Sequence, residues 1–366
     1  MSQTNVLSPQ LRQAFIQLIV NRTGLQIREH DQAAFQAIIL KQINHLGVPS
    51  AENYYQLLQS KADQTHEAWK SLISEITNAE SFFFRDKGQF KLLKNVIFPS
   101  LIQQKADNKT LRICSAGCST GEEPYSIAIL LKRLIPDLEM WNLTILGVDI
   151  NSAAIAKARE GIFRSWSFRC VNRDIQQRFF HRKGDTYRID QTIRDMVDFQ
   201  TVNLLEDPFN ALGYSIEYMD LILCRNVFIY FSKSAIAVVL DKFHEALLPQ
   251  GYLLAGHAEL HSQNPKKFQV KIFEESIVYQ RLAHDASHSI SINPLSKPIA
   301  QPSQRAYVAK DPQSLEDLLD GNNVQMQKVS LNLLRQLPAD TRIARLGNLT
   351  ASELIFQIEQ NLKATD

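Results

Sequence analysis

Between Leu111 and Pro124 the chain reads Leu-Arg-Ile-Cys-Ser-Ala-Gly-Cys-Ser-Thr-Gly-Glu-Glu-Pro, an apolar strand that passes through a turn of small residues into a helix. Small residues let a ligand approach the backbone, and the first turn of the helix at Tyr125 to Leu134 offers unpaired N–H groups. The Glu122-Glu123 pair selects the ligand. A phosphate-binding turn draws an anion to the positive helix end, whereas two carboxylates there repel a pyrophosphate and favour a cationic or hydroxyl-bearing molecule. S-Adenosyl-L-methionine, with its sulfonium, ammonium and ribose, has that chemistry.

Three further sites belong to the same rim. Asp149 ends the run Ile145-Leu-Gly-Val-Asp149 about 28 residues beyond the small-residue turn, where a carboxylate can accept hydrogen bonds from both ribose hydroxyls. In Val202-Asn203-Leu204-Leu205, Asn203 offers an amide to an adenine edge and Leu204 an apolar wall. The run Leu221-Ile-Leu-Cys224-Arg225-Asn226-Val-Phe-Ile-Tyr230-Phe231 carries Arg225, Asn226 and Tyr230 past the end of a buried strand, the edge on which open α/β sheets bind ligands. Its Arg-Asn-Val-Phe lacks the Asn/Asp-Pro-Pro-aromatic turn usual in enzymes that methylate base amino groups or the glutamine amide. Cys224 follows Leu223, so the Pro-Cys nucleophile of cytosine-C5 enzymes is missing too.

These residues need a parallel sheet to hold them. From Leu111 to about Arg281 strand patterns at 111–115, 143–149, 197–202, 219–224 and 251–257 alternate with helical patterns at 123–134, 152–160 and 233–247. An antiparallel pair, Phe268 to Phe273 and Ile277 to Arg281, closes the sheet, an ending that separates the methyltransferase sheet from a plain dinucleotide-binding one. The long insertion between Gly161 and Val197, with Lys183-Gly184-Asp185 as a hairpin tip, predicts a small β-subdomain at about 168–195. Residues 1–76 read as four amphipathic helices, opened by Ser8-Pro9 and Ser50 and closed at Gly24 and Gly47. The catalytic domain is expected at 77–284, a Ser/His/Pro/Gln-rich linker at 285–308 and a helical tail at 309–366, where Thr350-Ala-Ser-Glu353 is a capping box.

Composition narrows the function classes. Forty basic against 38 acidic residues give a formal charge of +2, too even for a general nucleic-acid binder. Residues 1–76 hold six Lys/Arg and six Asp/Glu, so charge marks no docking face there. No apolar run reaches the ~20 residues of a membrane span, and Met-Ser-Gln-Thr-Asn does not open a signal peptide, so a cytoplasmic location is expected. Cys114, Cys118, Cys170 and Cys224 form no CxxC pair and read as free thiols; no metal site is expected.

In order along the chain, Ile76-Thr-Asn78-Ala79-Glu-Ser81-Phe-Phe-Phe-Arg85-Asp86, Ser119-Thr-Gly-Glu-Glu-Pro-Tyr-Ser126, Asp149-Ile150, Asn203-Leu204-Leu205, Arg225 to Phe231 and Gly256-His257-Ala-Glu259 resemble the CheR family of S-adenosylmethionine-dependent methyltransferases of chemoreceptor glutamates. The resemblance spans roughly residues 8 to 282. It implies a class I methyltransferase, an α/β Rossmann-like seven-stranded sheet with an N-terminal helical domain and a β-subdomain insertion. It implies further that Asn78, Ser81, Arg85, Ala116, Glu123, Asp149, Asn203, Leu204, Arg225 and Asn226 bind the cofactor, with Arg85 and Tyr230 beside the reacting centre. Glu123 is expected to touch the methionine portion and Glu122 to serve as a helix-end charge. The product would be S-adenosyl-L-homocysteine and the partner a methyl-accepting chemoreceptor, reached at the membrane only through that receptor. The helices at 8–76 and the β-subdomain would dock it. The tail beyond residue 282, which has no counterpart in the minimal family domain, would take a partner of its own.

One departure bears on the site. Counting back from Arg85, Ala79 stands where the family usually has Asn, and Asn78 comes one residue early; either the loop is shifted by one or a cofactor contact is lost. The second case would suit a related module that binds the cofactor or adenosylhomocysteine and signals without turnover. A methyltransferase of RNA or small molecules on the same scaffold is disfavoured by the even charge and the missing Pro-Pro turn.

Overall fold

The computed structural model describes residues 7–60, 63–210, 215–257, 259–260, 267–273, 276–282 and a few positions between 342 and 359. Four helices come first: α1 (Pro9–Thr23), α2 (Gln32–Leu46), α3 (Ala51–Gln59) and α4 (Asp63–Ile76). Ser8 caps α1 by accepting from the Leu11 N–H at 3.2 Å, Pro9 fills its first turn, and Gly24 ends it in the left-handed conformation that a side chain resists. Phe15, Ile19, Phe35, Ile39, Tyr54, Leu58 and Leu72 are buried together as the bundle's own core.

An extended stretch, 77–86, leads into α5 (Lys87–Leu92) and α6 (Phe98–Gln104), joined through a π-helical turn at Leu93–Ile97. No helix is expected here from the sequence pattern; Phe90, Leu92, Leu93, Ile97, Phe98 and Leu101 are buried while Lys91, Lys94 and Asn95 face solvent, and the π-helical turn between α5 and α6 breaks the regular 3.6-residue spacing of the apolar positions. The chain then runs β1 (Thr110–Ala116), α7 (Glu122–Leu134), β2 (Asn142–Asp149), α8 (Ser152–Glu160), β3 (Ile162–Arg164), α9 (Arg173–Phe179), β4 (Phe180–Lys183), β5 (Thr186–Ile189), α10 (Gln191–Arg194), β6 (Val197–Thr201), β7 (Met219–Cys224), α11 (Lys233–Ala246), β8 (Leu247–Ala255), β9 (Phe268–Ile272) and β10 (Ile277–Arg281).

Seven strands form one sheet in the order β6-β2-β1-β7-β8-β10-β9, parallel except for β10, which runs antiparallel to both β8 and β9. The period-two alternation of β1 and β7 sorts the core into two layers. Leu111, Ile113, Leu221 and Leu223 pack with Tyr125 and Ile129, while Cys114, Ala116, Ile222 and Cys224 pack with Val239 and Phe243. Strand β8 begins at Leu247, four residues before the expected 251, with a register break opposite Met219 and Leu221 where the chain reads Pro249-Gln250-Gly251.

The small sheet has the order β3-β5-β4 and opens at Ile162 rather than near residue 168. Its first strand is three residues long, too short to declare itself by alternation. Phe163, Phe168 and Phe180 from this subdomain close around Phe83, with ring centroids 4.7, 5.2 and 4.8 Å from it. The expected linker and most of the tail lie outside the described residues; within the tail, Arg342–Ile343 pairs with Leu349–Thr350, and Ser352, Glu353, Ile355, Phe356 and Glu359 are helical. Among the described residues no helix is long and apolar enough to cross a membrane, and no group of His, Cys, Asp and Glu could hold a metal ion. All four cysteines are free.

Candidate active site

A cleft lined mainly by polar groups opens beyond the carboxyl ends of β1 and β7, the edge on which open α/β sheets bind ligands. Its floor is the turn Gly117–Ser119 with Glu123 of α7; one wall is Arg225, Asn226 and Tyr230; the other is Asn78, Glu80, Ser81, Phe82 and Arg85 from the stretch before α5. Gly117 has φ +75°, and a Cβ there would sit 2.2 Å from a Val227 methyl, so only glycine lets the β1 turn and the β7 exit close on each other. Among the expected site residues, Asn78, Ser81, Arg85, Glu123, Arg225, Asn226 and Tyr230 line this cleft.

Asp149 does not line the cleft and lies one hydrogen bond behind Ser119, which does. One carboxylate oxygen accepts from the Ser119 N–H and the other from the Asn151 N–H, both at 2.8 Å, which leaves acceptor capacity on each for a hydroxyl. Burial raises its pKa, and the backbone N–H groups of Asn151, Ser119 and Ile150 work against that rise. Partly buried, short of donors and flanked by a glycine turn, this carboxylate suits a diol.

The two glutamates have different tasks. Glu123 accepts from Ser115 Oγ at 2.7 Å and pairs with Arg225 at 2.9 Å, while remaining on the cleft surface. Glu122, expected as a helix-end charge, is instead buried; desolvation raises its pKa, offset by hydrogen bonds from Thr120, Ser167 and Ser81 that tie the turn to the subdomain. Helix position predicts a solvated carboxylate there, and the packed subdomain above it overrides that.

Arg225 is a strut as much as a wall. Its side chain is 3% exposed and donates to Glu123, to Gln89 Oε1 and to the Arg85 carbonyl, three of five N–H groups, with its guanidinium 5.5 Å from the Phe90 ring. Asn226 sits at φ 60°, and its N–H donates to Glu259 at 3.0 Å. Glu259 also accepts from the Gly256 and Ile229 N–H groups, so it clamps the whole exit loop; burial raises its pKa against these same bonds. A Cβ on Gly256 would lie 2.5 Å from that carboxylate, which explains the Gly-His-Ala-Glu spacing.

Besides Asp149, three expected residues do not line the cleft. Ala116 is buried on the α11 side of the sheet, as the alternation of β1 requires. Leu204 is buried in the same layer. Asn203 donates its amide to the Arg22 carbonyl at 2.6 Å and accepts from the Leu205 and Glu206 N–H groups, so the side chain read as an adenine contact serves the turn and the end of α1. Lys242 completes that turn, donating to the Leu204, Leu205 and Asp207 carbonyls.

Asn78 lines the cleft, accepting from the Glu80 N–H at 3.0 Å, whereas Ala79 gives its carbonyl to Ser119 Oγ at 2.7 Å. The stretch is pinned further by the Asn151 amide, which donates to Thr77 Oγ1 at 2.8 Å, and by the Phe84 N–H, which donates to Ser126 Oγ at 3.0 Å. Phe82 lies between two guanidiniums, Arg169 at 3.4 Å and Arg85 at 5.5 Å from its centroid. Sequence reasoning missed Gln89, fully buried, whose amide donates to the Ala255 carbonyl and Ser276 while its oxygen holds Arg225. Its one signal is a polar residue set in the apolar run that follows.

Asp86 and His257 join this stretch to the end of β8 as an ion pair. Burial pushes Asp86 upward, but the His257 hydrogen bond and the Gln89 N–H outweigh it and hold the carboxyl below its ordinary 3.8; the same bond lifts His257 above 6.5. A lowered acid stabilises above its ordinary pKa and a raised base stabilises below its own, so the link is complete between 3.8 and 6.5 and fades as pH climbs through the raised His257 value. His257→Gln should therefore cost most stability at about pH 5–6 and progressively less in alkaline buffer. Urea unfolding across pH checks this; a difference that stays flat would refute the pairing.

A mostly parallel seven-stranded sheet ending in an antiparallel hairpin, with an acidic glycine turn at its carboxyl edge, defines a class I S-adenosylmethionine-dependent methyltransferase. The model of the CheR methyltransferase SAM-binding domain matches residues 79–277. The chemotaxis protein methyltransferase of Salmonella typhimurium is 30% identical over 275 residues, 74% of this chain and 91% of that protein. The chemotaxis protein methyltransferases of Escherichia coli (30%; 70% of this chain, 86% of that one) and Borreliella burgdorferi (29%; 67% and 86%) are similar at the same level. The chain belongs to the CheR methyltransferase family, and its cofactor is S-adenosylmethionine.

Proposed function

We propose that this chemotaxis methyltransferase transfers a methyl group to glutamate side chains of a methyl-accepting chemoreceptor, giving glutamyl methyl esters, and that it works in the cytoplasm, meeting the membrane only through the receptor. One observation carries the choice of acceptor. Both carboxylates that line the cleft are already paired, Glu123 with Arg225 at 2.9 Å and Glu80 with Arg169 at 3.1 Å, while Arg85 and the 40%-exposed Tyr230 face the opening. Among the described residues that line the cleft, no free carboxylate or imidazole is set to remove a proton. An amine or amide acceptor must lose one, but a glutamate, with an ordinary pKa of about 4.3, arrives already ionised.

The cofactor, when bound, supplies an electrophilic methyl carbon and leaves as S-adenosylhomocysteine. The residues proposed to hold it are Asp149 at the ribose, Asn78, Ser81, Glu123, Arg225 and Asn226 around the methionine end, and the Ala116, Asn203 and Leu204 turns around the adenine through their backbone. Arg85 then anchors the acceptor carboxylate and the Tyr230 hydroxyl donates to it, fixing one oxygen in line with the methyl carbon. A new C–O bond forms as the C–S bond breaks, and no proton moves. Orientation and exclusion of water do the work. Arg85 must steer rather than neutralise, since a tight ion pair would stabilise the anion more than the departing charge. Its stacking on Phe82 and its contact with the Glu80 carbonyl at 3.4 Å leave it shared in this way.

Arg85→Ala should lower kcat by about 10–100-fold while the cofactor dissociation constant stays within about threefold. Steady-state kinetics with calorimetry checks the split. The function itself is tested with methyl-labelled cofactor and receptor-containing membranes, followed by mild base. Volatile methanol supports a carboxyl ester; base-stable label on protein or RNA contradicts it; bound cofactor with no transfer identifies a sensor instead.

A further inference from the structure

The segment leaving α1, Gly24–Arg28, lies about two hundred positions before the turn that carries Tyr230, yet the two run side by side. The Ser232 N–H donates to the Gly24 carbonyl at 2.9 Å, the Gln26 N–H donates to the Tyr230 carbonyl at 2.7 Å, and Leu25 bridges Phe231 in antiparallel register. Arg28 adds a side-chain bond, Nη2 to the Ile229 carbonyl at 2.8 Å. Gly24 makes this approach possible. Its φ is +77°, and a Cβ there would fall 2.8 Å from the Ala235 Cβ and 3.3 Å from the Phe231 ring. Beside it, Arg22 gives its carbonyl to Asn203 at 2.6 Å and faces Glu206 at 3.5 Å, so the end of α1 is fixed to the catalytic sheet a second time.

Two of the Gly24–Arg28 bonds engage the turn through its carbonyls, at Ile229 and Tyr230, and the third through the Ser232 N–H. Glu259 in turn holds the Asn226 and Ile229 N–H groups. Tyr230 itself is 40% exposed, and no side-chain bond of its hydroxyl fixes it among the described contacts, so its place at the mouth depends on the backbone beneath it. An exposed phenol on an unbraced surface turn would lose the alignment that in-line transfer demands, where an error near 1 Å can cost about 10²-fold.

We infer that the N-terminal helical domain is a positioning element of the active site: the Gly24–Arg28 strap sets the backbone of Ile229–Ser232, and through it the Tyr230 hydroxyl, with Arg28 as a positioning residue for methyl transfer. This rests on the role of Tyr230 proposed above. Among the described residues the strap's hydrogen bonds go to Ile229, Tyr230 and Ser232 and not to the Gly117–Ser119 turn, so its loss should separate chemistry from cofactor binding.

The test uses the full chain with Arg28→Ala, Arg28→Lys and Gly24→Ala, measuring kcat, cofactor affinity by calorimetry, and amide hydrogen exchange. Arg28 is exposed, so its truncation leaves the fold intact. Arg28→Ala should lower kcat about three- to tenfold with the cofactor dissociation constant within about twofold, and speed exchange at Ile229–Ser232 but not in β1. Arg28→Lys, which keeps a donor for the Ile229 carbonyl, should recover most of the rate, and Gly24→Ala should deepen the same split. An unchanged kcat and exchange pattern would overturn the inference. So would a joint fall of kcat and cofactor affinity with faster exchange throughout the sheet, which is general destabilisation. If the wild-type protein methylates no carboxylate, the proposed function fails, and unchanged exchange at Ile229–Ser232 in Arg28→Ala would still be needed to reject the strap.

Discussion

Asp149→Ala should weaken binding of S-adenosylmethionine about 10²-fold while leaving the unfolding midpoint close to that of the wild type. The affinity side follows from two hydroxyl bonds to a charged acceptor, each about 1.5–3 kcal/mol when made, less the cost of stripping water from the diol; about 3 kcal/mol net is two orders of magnitude. The stability side follows from the raised pKa. Burial makes the ionised carboxylate costly in the folded state, so its removal relieves that cost and offsets the two backbone N–H bonds that are lost. Calorimetric titration with parallel thermal unfolding reads both. Unchanged affinity would remove Asp149 from the ribose. A collapse of stability would make it a structural brace of the Ser119 turn.

Arg225 behaves in the opposite way. Arg225→Met should cost about 3–5 kcal/mol of stability, because it leaves Glu123, 16% exposed, as an unpaired carboxylate and strips Gln89 and the Arg85 carbonyl of their donor. Cofactor binding should fall with it, since Glu123, Arg85 and the Asn226 turn all lose their common support. The double variant Glu123→Gln/Arg225→Met should be more stable than Arg225→Met alone, the sign of a buried charge relieved. Urea unfolding of the four members of this cycle provides the check; additive losses would show that the two side chains do not depend on each other.

How much of this was legible in sequence depends on the range of the interaction behind each feature. Strands β1, β2 and β7 are buried runs with local signatures, and the glycine turn after β1 announces its own geometry. Helices α1 to α4 carry caps and stripes that need no tertiary partner to be read. The helical stretch at 87–104 was hard to read because it is two short helices joined by a π-helical turn, which breaks the 3.6-residue spacing a single regular helix shows. Site residues divide in the same way. Arg225 and Glu123 were marked by their place at strand and helix ends, but their pairing with each other, and with Gln89, joins elements more than a hundred positions apart. Asn203 was misread for that reason: its neighbours in sequence fit a ligand turn, and its amide is taken by Arg22, 181 positions away. Glu259 sat in a recognisable motif without a task until the loop it clamps was in view.

The central claim is that the acceptor atom is a glutamate oxygen. It is tested most directly by peptide-resolved mass spectrometry of a chemoreceptor signalling fragment after incubation with this protein and S-adenosylmethionine. The account predicts methyl groups on glutamate side chains, removed by mild alkali and formed about 10–100-fold more slowly when Arg85→Ala replaces the wild type. Methyl groups on lysine, glutamine or asparagine nitrogen that survive alkali, with glutamates untouched, would contradict it.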